Sequence, residues 1–597
     1  MPISQDAQRI ARIPPRGVDH ALPGGMWCAA WDVSPPSLAA LCKAGGQFNF
    51  RPDQARAITE VCLARGGIVR MGVGRGKSLV LLSLPVALGV AEGSVVWLTP
   101  ASLKGSLLAE AAKWAPHFHL ARPDHGTLFA SHEWLGQPQA ERALWAAHER
   151  HPIRVVIVDE ATGFASWDSN RSTRLVKFVA ELRRQDLLAG GDGRWPVVVL
   201  ASGTILRKRA MELRHLGYLA LTDRSPVPHD VRATQGWEFA LGMGVQIPGM
   251  APPPFADDLN PGAGVVDVGE HPLDAFARIL VSIVGVARTT EAAIPTALRW
   301  SWSRREALPE VLQGHIQRAR EKWETPDGTP LVFATDRARL LRQLGSGFFL
   351  RYRVRPPLDW LDARKAWGEA CAQARLTPLA FATRLQQQGP GATGRHAWDR
   401  WQEAQRAHGG EQDFRVVPEI VDVTHVAEAC AEFFEGGPGI AWFLSPHAGS
   451  AVAKRLGVPW WGAGDADALV QEALTGQARG CASILAHGTG KNLQQWARML
   501  VCECPASASL WEQLVGRMHR NEQPADTVAV QIAGWGPTNT RAVEVARRSA
   551  RLLERATRDP QKLLIGDWDG EVPDDGKAAD ELSEALAEID IDAWGAP

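Results

Sequence analysis

Three groups of residues in this 597-residue chain have the types and spacing to act on a phosphate ester. The first is Gly74-Arg75-Gly76-Lys77-Ser78, which follows the apolar stretch GIVRM and opens KSLVLLSLPVALGV. Glycines at the start of a helix free backbone N–H groups to form an anion nest, and the helix end adds positive dipole. There Lys77 would reach the outer phosphates of a nucleotide and Ser78 would hold Mg²⁺. The strict GxxxxGK(S/T) pattern has its first glycine where this chain has Met71. Taken alone, the segment reads equally as a tight strand-to-helix turn.

The second group is Asp159-Glu160, at the end of the apolar run RVVIV. Carboxylates at a strand end suit metal holding (Asp159) and orientation of an attacking water (Glu160). An acidic turn after a strand is common, but its pairing with the glycine-lysine segment two strands earlier is not. The third group lies far downstream in WEQLVGRMHRNEQ, with Gln513, Gly516, Arg517, His519 and Arg520. Arg517 and Arg520 are three residues apart and share a face of a helix or turn. From a second lobe they would stabilise charge on a transferring phosphoryl group; as an isolated pair they read as solvated surface arginines. A weaker signal is the small-residue turn Ser202-Gly203-Thr204.

The elements that must hold these groups alternate. PDQARAITEVCLA reads as a helix, and GSVVWLTP, IRVVIVDE and PVVVLASGT read as buried strands with helical stretches between them. That order predicts a parallel α/β sheet, which binds ligands at the carboxyl ends of its strands. A second alternating block begins near Arg415, with GIAWFLSP, CASILAHGT, RMLVCECP and TVAVQIAG as strands. Between the blocks lie a Pro/Gly-rich stretch and helical, Trp- and Arg-rich segments. The expected organisation is an accessory segment at 1–43, lobe one at 44–220, an irregular and helical insertion at 221–414, lobe two at 415–565, and a disordered acidic tail at 566–597.

Composition bounds the partners. Hydrophobic content of 45% and charged content of 22% are those of a globular protein. The N-terminus lacks an apolar signal region, and the longest apolar run is too short to span a bilayer. The eight cysteines lack metal-ligand spacing, so reduced, buried thiols and a cytoplasmic setting are expected. The net charge of −1 conceals a division. Residues 566–597 carry 11 acidic groups and one lysine, leaving roughly +9 on the remainder, a balance that suits a polyanion. A solvated tail beside an ordinary body is the plainer reading of the same numbers.

Taken in order, these segments resemble the motifs of superfamily-two helicases, and specifically the Swi/Snf-type DNA translocase branch in a compact phage or bacterial form. FRPDQARAI is similar to that branch's opening segment, which implies that Gln54 contacts adenine. MGVGRGKS resembles motif I, which in this superfamily tolerates a non-glycine at the Met71 position; the resemblance decides for a phosphate cradle built on Gly74, Gly76, Lys77 and Ser78. LTPASLKGSLLAEAAKW resembles motif Ia, DEATGFASWDSNRSTRLVKF motif II with Thr162 where histidine is usual, and SGTILRKRAMEL motif III with Ile205 in place of proline. ILAHGTGKNLQQW resembles motif V through Gly488, Gly490 and Asn492, and QLVGRMHRNEQ resembles motif VI. The likeness covers roughly 48–220 and 415–535.

It implies two RecA-like parallel-sheet lobes with ATP and Mg²⁺ between them, and with Gln513, Arg517 and Arg520 completing the site. It also implies DNA as partner, duplex favoured and forked DNA next, together with replication or recombination proteins and no membrane; for a phage protein the location is the bacterial host cytoplasm. Thr99, Ser102 and Lys104 in lobe one and Thr489, Lys491 and Asn492 in lobe two are the candidate nucleic-acid contacts, each also readable as a capping or surface residue. Trp360, Trp367, Trp398 and Trp401 lie among basic residues as a wedge would, but at helical spacing tryptophans more often pack a small core. Two other functions stay open from sequence: a strand-separating helicase on forked DNA or RNA, and a non-catalytic nucleic-acid-binding scaffold.

Overall fold

A computed structural model describes residues 3–13, 38–72, 75–207, 209–243, 253, 255–259, 265–288, 294–303, 308–329, 331, 334–374, 378–387, 392–410, 413–488, 491–520, 523–535 and 537–569. Six short apolar runs build the first sheet: β1 (Gly67–Arg70), β2 (Val95–Thr99), β3 (Leu128–Ser131), β4 (Val155–Asp159), β5 (Val197–Ser202) and β6 (Val286–Arg288). Their order is β3-β2-β4-β5-β1-β6, and every pairing is parallel. Helices cover both faces, which explains why β4 is apolar at consecutive positions rather than alternate ones. Val156 and Val158 enter the core on one face, and Val155 and Ile157 enter that on the other.

The second sheet has seven parallel strands. These are β7 (Ala297–Trp302), β10 (Gly439–Phe443), β11 (Trp460–Trp461), β12 (Arg479–Ser483), β13 (Arg498–Val501), β14 (Thr527–Ile532) and β15 (Asp567–Asp569), in the order β11-β12-β10-β13-β14-β7-β15. A separate antiparallel ribbon joins β8 (Phe348–Tyr352) to β9 (Val416–Ile420). The architecture is α/β with two RecA-like lobes. Among the described residues, no helix is long and apolar enough to cross a membrane. The described cysteines are free thiols, buried except for Cys42.

Several expected boundaries give way. The stretch 221–414 is not one insertion: β6 extends sheet one beside β1, and β7 pairs with β14 along its whole length in sheet two. Both strands were hidden in sequence by irregular flanks and by the Arg/Trp composition of ALRWSW. What stands apart is 353–415, where Arg353 N–H donates to Arg415 C=O at 2.8 Å at the root of the β8–β9 ribbon. Its helices enclose a small core of Trp360, Trp367, Phe381, Leu385 and Trp401, with Trp398 packed against it. These tryptophans are structural.

The N-terminal segment is tied to lobe one. The helix Gln5–Ala11 is held by Ser4 Oγ donating to Asp258, and by the Arg9 guanidinium donating to the carbonyls of Asp223, Ser225 and Val227. At the other end, the first residues of the expected tail form β15, in register with Arg299 and Ser301 of β7, and Trp568 stacks on Trp300 with ring centroids 5.0 Å apart. The rest of the acidic tail, 570–597, lies outside the described residues.

Candidate active site

Parallel order alone brings the first two chemical groups together. β5 lies between β1 and β4, so the segment after β1 and the carboxylates ending β4 emerge on the same sheet edge. Gly76 precedes the helix Lys77–Ala87 with φ 73°, a left-handed conformation that favours glycine, and no side chain caps this helix. The first N–H groups of the helix therefore keep their capacity to receive an anion. A Cβ at Gly76 would also collide with the Gln54 amide.

Gln54 is buried at the start of the helix Pro52–Ala64. Its amide donates to Gly76 C=O at 3.4 Å, and its Oε1 accepts from Arg51 N–H at 2.9 Å. The Arg51 guanidinium donates to Arg75 C=O, so two side chains of the opening segment brace the loop. Gly74 lies outside the described residues. Arg51 was not singled out from sequence; its place three residues before Gln54, at a helix start, was the available signal.

The Lys77 ammonium reaches both carboxylates, with Nζ 2.5 Å from Glu160 Oε1 and 3.2 Å from Asp159 Oδ1. Burial by itself would lower the Lys77 pKa, but the two carboxylates outweigh it and the pKa is raised. Burial also opposes charge on both acids. At Asp159 it prevails over the attraction of Lys77, with the like charge of Glu160 adding to it, and the pKa is raised. At Glu160 the neighbouring ammonium, Arg517 and the Ser202 hydroxyl prevail, and the pKa is lowered. Ser202 Oγ lies 3.3 Å from Glu160 Oε2, which gives the weak Ser-Gly-Thr signal a contact in the site. Glu160 itself has φ 51°, a strained backbone for a residue with a side chain.

The second lobe supplies the opposite wall. The helix Ala508–Val515 is capped by Ser507 and runs into the turn carrying Arg517. Gly72, Glu160, Gly203 and Thr204 from lobe one and Glu512, Gln513 and Arg517 from lobe two line one cavity. Thr204 Oγ1 and Ser509 Oγ meet across it at 3.3 Å. Arg517 is buried, which pushes its pKa down to about 10, while the charge of Glu160 acts in the opposite sense. Its guanidinium donates to Gly488 C=O at 3.2 Å and to Lys491 C=O at 3.3 Å. Arg520 donates to Asn492 Oδ1 at 3.0 Å, farther out. Glu512 was not foreseen; it accepts from the Lys562 backbone N–H at 2.8 Å.

The candidate nucleic-acid contacts divide. Ser102 and Asn492 are exposed, and half-buried Lys104 donates to Phe129 C=O at 3.0 Å. Thr99 is wholly buried and presents no surface, because the end of β2 is covered on both faces. Lys491 is also buried, with its ammonium against the His487 ring. Thr489 and Gly490 lie outside the described residues. Ser78 is half-buried in the first turn after Gly76. Its hydroxyl and the Asp159 carboxylate are hard oxygen donors of the kind Mg²⁺ takes. A cation, the Lys77 ammonium, already sits against Asp159.

No family model and no curated protein matches the chain. Among solved structures it is similar to the Mycobacterium smegmatis helicase Lhr bound to ssDNA and AMP-PNP, with a TM-score of 0.38 and 11% identity. That match covers 83% of this chain and 48% of the other, so the chain spans about half the length of that protein.

Proposed function

We propose that this chain is an ATP-hydrolysing motor of the Swi/Snf-type branch of superfamily two, moving along duplex DNA in phage or bacterial replication, repair or recombination. The observation that carries the reading is the meeting of Lys77, Asp159 and Glu160 from one lobe with Arg517 from the other around one cleft. A scaffold would have no chemical need for a strained carboxylate, a buried arginine and an uncapped helix start in one place.

In this reading Gln54 orients the adenine, and the loop from Gly74 to Gly76 with the following helix start receives the phosphates. Lys77 leaves the carboxylates for the β- and γ-phosphate oxygens. Ser78 and Asp159 would hold Mg²⁺, which when bound would supply counter-charge to the phosphates. Glu160 orients the attacking water and draws its proton as the bond to the γ-phosphorus forms and the bridging oxygen departs. Arg517 places positive charge on the transferring group, with Arg520 and Gln513 beside it. Because Arg517 also grips the carbonyls of Gly488 and Lys491, movement of the phosphoryl charge is passed to those two residues, beside the exposed Asn492 that would meet the nucleic acid.

The test is hydrolysis measured with no nucleic acid, single strands, blunt duplex, forked duplex and RNA, beside Lys77→Ala. Stimulation by blunt duplex, absent in the variant, supports the translocase and calls for triplex-strand displacement next. Stimulation by single strands, forks or RNA alone replaces it with an unwinding helicase. Absence of hydrolysis throughout rejects the motor.

A further inference from the structure

The chain has 24 tryptophans, and among the described residues Trp167 is the one with more than a third of its surface open, at 46%. It lies seven residues beyond Glu160, on a turn that is braced rather than loose. Ser166 Oγ donates to Asp168 Oδ1 at 2.6 Å, and Ser169 Oγ donates to Ser166 C=O at 2.9 Å. Ser169 also caps the helix Asn170–Leu188, and Thr173 Oγ1 lies 3.4 Å from Trp167 C=O. Arg214 covers the indole with its guanidinium carbon 5.4 Å from the ring centre. A cation thus packs against the ring, and close to half of the residue's surface stays open.

The turn is wired to the cleft. The 3₁₀ turn Ala161–Phe164 joins Glu160 to it. Phe164 C=O accepts from Ser172 Oγ at 3.0 Å and lies 2.6 Å from His215 Nε2, while Arg207 donates to Thr162 C=O at 2.8 Å. A rigid exposed indole stacked on arginine and joined to a catalytic carboxylate offers a π-face to a planar partner. The charges beside it, Asp168 and Arg214, oppose each other, and what the indole itself offers is stacking, which a base takes up and a phosphate does not. Bases within an intact duplex are already stacked on both sides, which leaves an unpaired one as the ligand.

We infer that Trp167 is a stacking platform for an unpaired base, so that the nucleic acid this motor engages is duplex DNA interrupted by a gap, a fork or an extruded nucleotide beside lobe one. The inference rests on the motor reading and narrows its substrate.

The experiment is equilibrium binding of the full chain, without nucleotide, to three DNA probes: a blunt duplex, the same duplex with a three-nucleotide gap, and a forked duplex. Each probe carries 2-aminopurine, paired in the first and unpaired in the others, so that stacking is read by fluorescence separately from affinity. Wild type is expected to bind the gapped and forked probes more tightly than the blunt one and to change their fluorescence. Trp167→Ala should weaken binding to the unpaired probes by about 5- to 30-fold, change blunt-duplex binding far less and abolish the fluorescence change; Trp167→Phe should restore most of both. Equal affinity of wild type and Trp167→Ala on every probe, or an equal loss on all three, overturns the stacking role and leaves the motor standing. Wild type that binds no probe overturns the motor reading and this inference with it.

Discussion

Arg517 and Arg520 look alike in sequence, and the structure separates them. Arg517 is buried at the cleft and feels the charge of Glu160, while Arg520 is engaged farther out by Asn492. In single-turnover hydrolysis, Arg517→Ala should slow the chemical step by about 10³- to 10⁵-fold, and Arg520→Ala by less than a tenth of that effect. Nucleotide affinity, measured by equilibrium titration, should change only a few-fold in either. Equal losses would remove the distinction drawn from burial. The candidate site was largely legible at this scale, because lysine, carboxylate and arginine chemistry demands particular residue types at strand ends. The burial of Thr99 and Lys491 was not legible, for the opposite reason: a residue type carries no record of which neighbours cover it.

At the scale of elements, the end of the helix Pro537–Thr557 and the residues that follow it fasten the two lobes. Arg70, the last residue of β1, is buried, and its guanidinium donates to Thr557 C=O at 2.9 Å and to Asp559. Nearby, Arg555 pairs with Asp274 at 2.7 Å, and Lys562 meets Glu512 beside the cleft. Asp559→Ala leaves the Arg70 guanidinium short of its counter-charge in the interior. Because Asp559 is part-exposed, the expected loss is about 2 kcal/mol, below that of a fully buried pair, with Asp559→Asn recovering part of it in urea unfolding. The helical unit on the β8–β9 ribbon has its own core, and its two ends meet at Arg353 and Arg415. Replacing 354–414 by a short glycine-rich turn should therefore preserve the two-lobe fold and nucleotide hydrolysis, checked by circular dichroism and ATPase assay. Loss of folding would show that this unit is integral to lobe two.

For the whole molecule, one apolar core runs through both lobes. Leu273, Phe276 and Leu280 of the helix Pro272–Ser282 share it with Ala542, Val543 and Ala546 of the helix Pro537–Thr557. Buried histidines are distributed through the two lobes: His132 and His215 in the first, His487 and His519 in the second. Burial lowers the pKa of each to about 4. A folded-state value below the unfolded one of about 6.5 means that the unfolded chain binds protons first. Their contribution is complete above pH 6.5 and is lost as the pH falls toward 4, at about 3 kcal/mol per group. The denaturation midpoint should drop steeply over that window and stay flat from pH 7 to 8. A midpoint unchanged between pH 7 and 4.5 would contradict the neutral burial of these rings.

By itself the sequence determined the α/β class, the strands that carry chemistry, and the residues at their ends. Each is a local property: β-branched runs buried on both faces, a glycine turn before a helix, a carboxylate pair closing a strand. Only the tertiary structure decided that β6 and β7 belong to the two sheets, that the tryptophans of 353–415 fill a core, and that Trp167 stays open beside Arg214. Strand order, burial and the meeting of Arg517 with Glu160 are set by contacts between segments hundreds of residues apart, and local patterns do not encode which distant surface will cover them.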